Sequence, residues 1–273
     1  MHHEGRFGSR FPLGEFLWVS ISFILAAMGW TALQGGAVTW DAFNHHIYLG
    51  RQALEGSRLQ HDYFAVGGMS CQYPLGYAPL VAMLDAGWPG MGIFQVLTLL
   101  AALCGPACWL ITWCVMPSPD RAARWLRLAG TFLALTGVLW WKVLAQTSND
   151  AIGMSLAIWS VALAMLCVGG PWWASRARLR MVICGMAGML AGLGFVIKLT
   201  QFIAIIAAFS ILLFINARWS ERLKCVICFG MAATAVTLAV GTSWGYDSWR
   251  ACGSPIYPFM LDYFQSVAPG DKQ

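Results

Sequence analysis

The chain has 273 residues, of which 59% are hydrophobic and 11% charged, with a formal net charge of +5. An ordinary soluble domain carries about 25% charged residues, so this composition excludes a water-soluble globule of the same size. The basic excess falls in short clusters between apolar runs, with no aromatic-interleaved basic stretch, which argues for membrane loops and against a nucleic-acid partner.

In chain order, a polar and basic segment over 1–14 precedes an apolar run over 15–35. That run is too long for a signal-peptide core and lacks a small-residue cleavage site, so it predicts a retained first helix. Further apolar stretches lie at 91–116, 128–145, 150–168, 181–197, 199–216 and 225–244. Each approaches the ~20 residues that one bilayer crossing needs. The expectation is an all-α integral membrane protein with about seven transmembrane helices. It has a cytoplasmic N-terminal tail over 1–14, a transmembrane domain over 15–244, a long outer loop over 36–89 and an outer tail over 245–273. The shorter run at 74–87 contains Pro74, Pro79 and Asp85, and predicts a helix lying at the outer interface. Small residues at Gly185, Gly188, Gly192 and Gly194 predict close helix packing.

Charge fixes the expected orientation. With the N-terminus inside, eleven of the seventeen basic residues fall in cytoplasmic segments, three to each internal loop. Eight of the twelve acids then fall outside. The basic bias is the one that sets topology. Counting 74–87 as a span would send the later arginine clusters outward.

Seven of the nine cysteines (Cys104, Cys108, Cys114, Cys167, Cys184, Cys225 and Cys228) sit in apolar segments and read as small buried hydrophobes. Cys225 and Cys228 form a CxxC with no second pair or nearby histidine, a weak signal for metal or redox chemistry. Cys71 and Cys252 fall in outer segments, where a disulfide between them is an option.

Chemistry-bearing residues crowd the first outer loop, which reads Thr39-Trp40-Asp41-Ala42-Phe43-Asn44-His45-His46-Ile47-Tyr48 and later His61-Asp62-Tyr63. Asp41 to Glu55 has helical character, with Asp41 and His45 on one face. Three readings stand side by side. The segment is a solvated interfacial helix; or Asp41 is a carboxylate base taking a proton from an acceptor hydroxyl; or Asp41, His45 or His46, and Asp62 hold a divalent metal. Lys142, Asp150 and Lys198 lie at the outer ends of spans, either snorkelling to the interface or marking a functional path. Together with Arg51, Arg58 and Arg250, two or three of these cations converging would seat a phosphate or diphosphate headgroup.

Several of these segments, taken in order, resemble the GT-C superfamily of polytopic glycosyltransferases, and in particular a group of bacterial GT-C-like membrane proteins. The likeness is carried by Trp40-Asp41 with His46, by Gln72-Tyr73-Pro74-Leu75-Gly76-Tyr77-Ala78-Pro79-Leu80, and by Thr147-Ser148-Asn149-Asp150. Gly194 with Lys198-Leu199-Thr200, and Gly253-Ser254-Pro255-Ile256-Tyr257-Pro258-Phe259, complete it. In the last segment Ser254 stands where the group usually has Asn. The resemblance implies transfer of a sugar from a polyprenyl-phosphate-linked donor to an acceptor on the outer face of a bacterial inner membrane. Asp41 would be the base and Asp62 an optional second acid, while outer basic residues would contact the lipid phosphate; no motif fixes which, and Arg58, Lys142 and Lys198 are the candidates, with Asp150, His45 and His46 beside them. It implies no organic cofactor, with a divalent metal as an option. Members of the group continue with further spans, whereas this chain stops at Ala268-Pro269-Gly270-Asp271-Lys272-Gln273, which predicts a truncated or shortened relative. The alternative is a non-catalytic multi-pass protein: a binder of lipid-linked sugar, a transporter-like carrier or a structural subunit. The lack of an internal repeat disfavours the carrier.

Overall fold

Peptide groups in lipid have no water to bond, so an apolar segment must satisfy them internally, as a helix does. The computed structural model describes residues 11–55, 71–169, 176–215 and 217–267. Among them the regular structure is helical, with one isolated backbone bridge between Ala37 and Gln146. The helices are α1 (Leu13–Gln34), α2 (Ile47–Glu55), α3 (Ala78–Asp85), α4 (Gly90–Ala102), α5 (Cys104–Val115), α6 (Arg121–Leu135), α7 (Val138–Leu144), α8 (Asp150–Gly169), α9 (Ala177–Ile197), α10 (Phe202–Leu212), α11 (Trp219–Cys252) and α12 (Leu261–Val267).

Five stretches among the described residues are long and apolar enough to cross a membrane: α1, the jointed pair α4–α5, α8, α9 and α11. Two of the seven expected spans are shorter. The 128–145 stretch divides at Thr136 and Gly137 into α6 and α7, and the Thr136 hydroxyl donates to the Leu133 carbonyl at 2.9 Å. Threonine and glycine are both poor helix formers, and here they fall side by side. The 199–216 stretch opens with a tight turn, Leu199–Gln201, before α10. The 11 residues of α10 reach about 17 Å at ~1.5 Å each, against a hydrocarbon thickness of ~30 Å. Run 74–87 yields α3, eight residues long and too short to cross. By contrast, α11 overruns the predicted 225–244 at both ends. It stops only at Gly253, whose φ of 82° is left-handed and suits a helix C-terminus.

Large apolar side chains cover the outside of the bundle, among them Trp18, Leu33, Phe132, Phe214 and Met231. Apolar surface of that extent belongs in hydrocarbon rather than water. Inside, α1, α4, α5, α7 and α8 meet around Ala27, Ala102, Cys104, Trp140 and Leu144. Helices α8 to α11 meet around Ala164, Cys184, Ala187, Leu212 and Phe229. Within that second group α9 and α11 run parallel, backbone against backbone. A Cβ on Gly188 would lie 2.2 Å from the Phe229 carbonyl oxygen, and one on Gly192 2.5 Å from that of Ala233.

The two ends of the bundle differ. At one, Arg127 is 2% exposed. Its Nε and Nη2 donate to the Glu15 carboxylate at 3.0 and 2.8 Å, and its Nη1 to the carbonyls of Met116 and Ser118. The Trp109 indole N–H also donates to Glu15, at 3.0 Å. This cluster joins the start of α1 to the end of α5 and to α6. The starts of α9 and α11, with Arg180 and Arg222, fall at the same end, where the Cys167 thiol at the close of α8 reaches the Arg180 carbonyl. At the other end lie Asp41, Asp150, Lys198 and the 71–77 and 254–259 segments.

Adding a methyl group at Gly188 or Gly192 should force α9 and α11 apart. Each Gly→Ala change should cost about 1–3 kcal/mol, the usual penalty of overpacking. Thermal unfolding of the purified protein measures it. Gly230→Ala, where a Cβ meets nothing within 4 Å, should leave the midpoint unchanged or raise it.

Candidate functional site

The segment that begins at Trp40 is helical from its start, but Ala42–His46 is wound as a π turn before α2. Such wide turns recur at functional sites. Here the turn carries His45 and His46 inward, where they are 7% and 5% exposed, while Asp41 stays exposed. His46 Nδ1 lies 2.6 Å from the Thr147 hydroxyl, and its ring stacks on Tyr77 with centroids 4.5 Å apart. His45 meets His46 edge-on at 4.3 Å. Burial pushes the His46 imidazole down from 6.5 to about 3, aided by His45 and by Lys198. Burial lowers His45 as well, against the opposing pull of the Asp41 carboxylate. The Tyr77 phenol is raised, by burial and then by Asp41. Asp41, both histidines, Tyr77 and Lys198 therefore share one electrostatic neighbourhood, and the rings are neutral at neutral pH.

Beside this cluster lies a cavity of 200 Å³, lined by Tyr73, Asn149, Lys198, Thr200, Tyr257 and Phe259 among others. Four sequence-distant segments thus meet at one opening: 72–73, 149, 197–200 and 257–259. Their placement has local causes. Lys198 leaves α9 in an extended conformation and forms an ion pair with Asp150; the two side chains are 34% and 45% exposed. Ser148 donates to Asp150 at 2.7 Å. The Asn149 amide donates to the Ile197 carbonyl at 3.0 Å, fastening the start of α8 to the end of α9. Ser254, fully buried, donates to the Phe259 carbonyl at 2.7 Å, while its own carbonyl accepts from Ser248 at 2.9 Å. These bonds fold the turn that ends in Tyr257 and Phe259. Tyr73 OH points at the carbonyls of Gly241 and Pro255, 3.2 and 3.4 Å away. Cys71 and Cys252 form a disulfide, with Cα atoms 6.3 Å apart, which ties the 71–77 segment to the end of α11.

Of the residues expected from the sequence, Asp41, His45, His46, Asp150 and Lys198 gather at this end. Lys142 is exposed on α7, and among the described residues no ion pair joins it to that group. Arg51 pairs with Asp85 and Glu55 on the surface of α2 and α3, and Arg250 lies over the Tyr246 ring. Arg58 and Asp62 lie outside the described residues. Among the described residues, no three His, Cys, Asp or Glu side chains are grouped to hold a metal ion. Cys225, from the CxxC, is a buried free thiol in α11, and Cys228 a partly buried one. Tyr73, Tyr77, Thr147 and Asn149 are site residues to which the sequence alone assigns no role. The two tyrosines carry one signal: they flank prolines in a run too short to span.

No protein-family model, curated protein or solved structure matches the chain.

Folded His46 binds a proton only near pH 3, while unfolded His46 binds one near 6.5. The unfolded state therefore holds more protons between these values, and stability should fall as pH drops through that window. The slope is up to ~1.4 kcal/mol per pH unit. Thermal unfolding at pH 7.5 and pH 5 should show this loss, and His46→Phe should flatten it, leaving the smaller share of His45. Separately, the disulfide closes a loop across a sequence separation of 181. On the chain-entropy model its removal by Cys71→Ser should cost about 5 kcal/mol, seen as a lowered midpoint that reductant reproduces in the unmodified protein.

Proposed function

We propose that the chain is a GT-C-like glycosyltransferase, or the N-terminal part of one, that moves a sugar from a polyprenyl-phosphate donor to an acceptor. The observation that carries this reading is the cavity at Lys198, where four separate segments converge beside a cation at the end of the bundle. On this reading the lysine meets the lipid headgroups, and its pairing with Asp150 keeps it oriented until a phosphate takes its place. Asn149, Thr200 and Tyr257 add polar groups around it. Asp41 is the proposed base: it is exposed, heads the helix that carries both histidines, and is close enough to Tyr77 and His45 to act on their charge states. Neutral buried histidines beside it can relay a proton without adding charge.

In the membrane we place this end outside and the arginine-rich end in the cytoplasm, as the basic bias requires. The disulfide supports that orientation, because such bonds persist on the oxidising side. Cys167, Cys184, Cys225 and Cys228, all free, cluster towards the other end.

A second reading, binding of a lipid-linked sugar without turnover, is favoured by one fact: Asp41 is not among the residues that line the Lys198 cavity.

Transfer from a labelled polyprenyl-phosphate sugar, measured with the full chain in lipid, separates the two. Asp41→Asn should lower transfer by about 10²-fold or more with binding intact. Lys198→Met should weaken donor binding by roughly 10- to 100-fold, the worth of a hydrogen bond to a charged group. Unchanged transfer in Asp41→Asn sinks the base assignment. Donor binding by the unmodified protein with no transfer selects the second reading.

A further inference from the structure

At the arginine-rich end of the bundle lies a cavity of 440 Å³, lined by Pro12, Gly14, Glu15, Ser118, Arg124 and Arg127 among others. Prolines form much of its rim: Pro12 before α1, and Pro117 and Pro119 between α5 and α6. Their fixed φ leaves little freedom to lose when a ligand enters, so the recess is built beforehand.

The charges around it are unevenly spent. Arg127 is saturated by Glu15 and by the carbonyls of Met116 and Ser118. Glu15 in turn is taken by Arg127 and by the Trp109 indole. Arg124 is left over. Its Nε lies 3.8 Å from Glu15 Oε2, its side chain is 60% exposed, and no other ion pair joins it among the described residues. The Asp120 carboxylate closes the start of α6, accepting from the Ala123 N–H at 2.6 Å and from the Ser118 hydroxyl. Two arginines against one glutamate leave the lining with a single positive charge.

That charge selects a monoanion. The ammonium of a zwitterionic headgroup finds no free carboxylate here, because Glu15 and Asp120 are both engaged. A guanidinium suits the paired oxygens of a phosphate. The volume falls within the ~300–1,000 Å³ of sites for whole small molecules, well above what a bare ion needs. The surroundings are apolar. Trp18, one helical turn on from Gly14, and Trp125, next to Arg124, are both exposed, as are Leu13, Leu17 and Leu126. Exposed tryptophans belong at the level of lipid headgroups, and the leucines beside them suit acyl chains. The anion that fits is therefore one carried on an apolar tail.

We propose that this cavity seats the phosphodiester of an anionic phospholipid, held by Arg124, with the acyl chains against α1 and α6. No residue of the Lys198 end takes part, so the site is independent of sugar transfer.

The test uses the full chain in a non-ionic detergent, with native mass spectrometry counting bound phosphatidylglycerol against phosphatidylcholine of the same acyl chains. Phosphatidylglycerol should be retained in preference. Its apparent affinity should fall about tenfold in Arg124→Gln, as for one lost hydrogen bond to a charged group. Gly14→Leu should weaken it as much without removing any charge, by filling the cavity; a Cβ at Gly14 meets nothing within 4 Å. Arg178→Gln, at an exposed arginine of the same end that does not line the cavity, should leave it unchanged. Inorganic phosphate or glycerophosphoglycerol in excess should displace little of the lipid. Equal retention of the two lipids overturns the proposal. So does a loss in Arg178→Gln as large as that in Arg124→Gln, the mark of diffuse attraction, or full retention in Gly14→Leu. Ready displacement by either soluble anion also overturns it, since the chains then contribute nothing. Should one cavity variant fold poorly, seen as a lowered unfolding midpoint without lipid, the other decides alone.

Discussion

With only hydrogen in place of a side chain at Gly188 and Gly192, α9 lies directly on the backbone of α11 at Phe229 and Ala233. In hydrocarbon, burial of apolar surface gives helices no reason to prefer each other over lipid, so close van der Waals contact has to hold them together. This contact does so for the second half of the bundle, and it also sets the geometry of the polar end. Because the two helices run parallel and touching, Val196 comes beside Gly241, and Tyr73 fits against α11 there, at Gly241 and Gly245. The chain leaves α9 in extended form at Lys198 and so delivers that side chain to the mouth of a cavity whose opposite wall begins where α11 stops. Shifting α9 would move the cation away from Asp150 at the start of α8, and shifting α11 would move the carbonyl of Gly241 away from Tyr73.

Desolvation governs the chemistry of the polar end. A charge taken into this region is costly unless paired, and the residues respond in three ways. Lys198 and Asp150 pair and stay partly exposed. The histidines give up their protons. Asp41 remains at the surface. The outcome is a site with a partly exposed ion pair, neutral rings beneath it and a carboxylate at its edge. The proposed exchange of Asp150 for an anionic headgroup would leave the buried groups where they are.

Much of this is legible in the sequence because its cause is local. Low charge and long apolar runs predict helices in lipid, and the glycine spacing in α9 predicts its close contact. The segments Trp40–His46, Gln72–Pro79, Thr147–Asp150, Gly194–Thr200 and Gly253–Phe259 each stand out along the chain, and the fold brings them together. The features that stay hidden depend on tertiary placement. Nothing in the order Ala42 to His46 announces a π turn, so Asp41 and His45 read as partners on one helical face, whereas the wide turn buries the histidine and leaves the acid outside. Apolarity alone makes 128–145 and 199–216 look like spans, yet Thr136–Gly137 and the turn at Leu199 shorten the helices that form there. The last apolar run ends at 244, which predicts a helix ending there too. Instead α11 continues to Cys252, since polarity does not break a helix until Gly253 supplies the left-handed turn.

The Glu15–Arg127 contact bears on how the protein is made. Glu15 stands in the first turn of α1, where a carboxylate entering the bilayer edge has no compensating cation within its own helix. Its partners, Trp109 and Arg127, are more than ninety residues further along. During synthesis the contact can therefore form only after α5 and α6 have followed α1. Once formed, it ties α1 to α5 and α6 through side chains supplied ahead of the segment that carries α9 and α11.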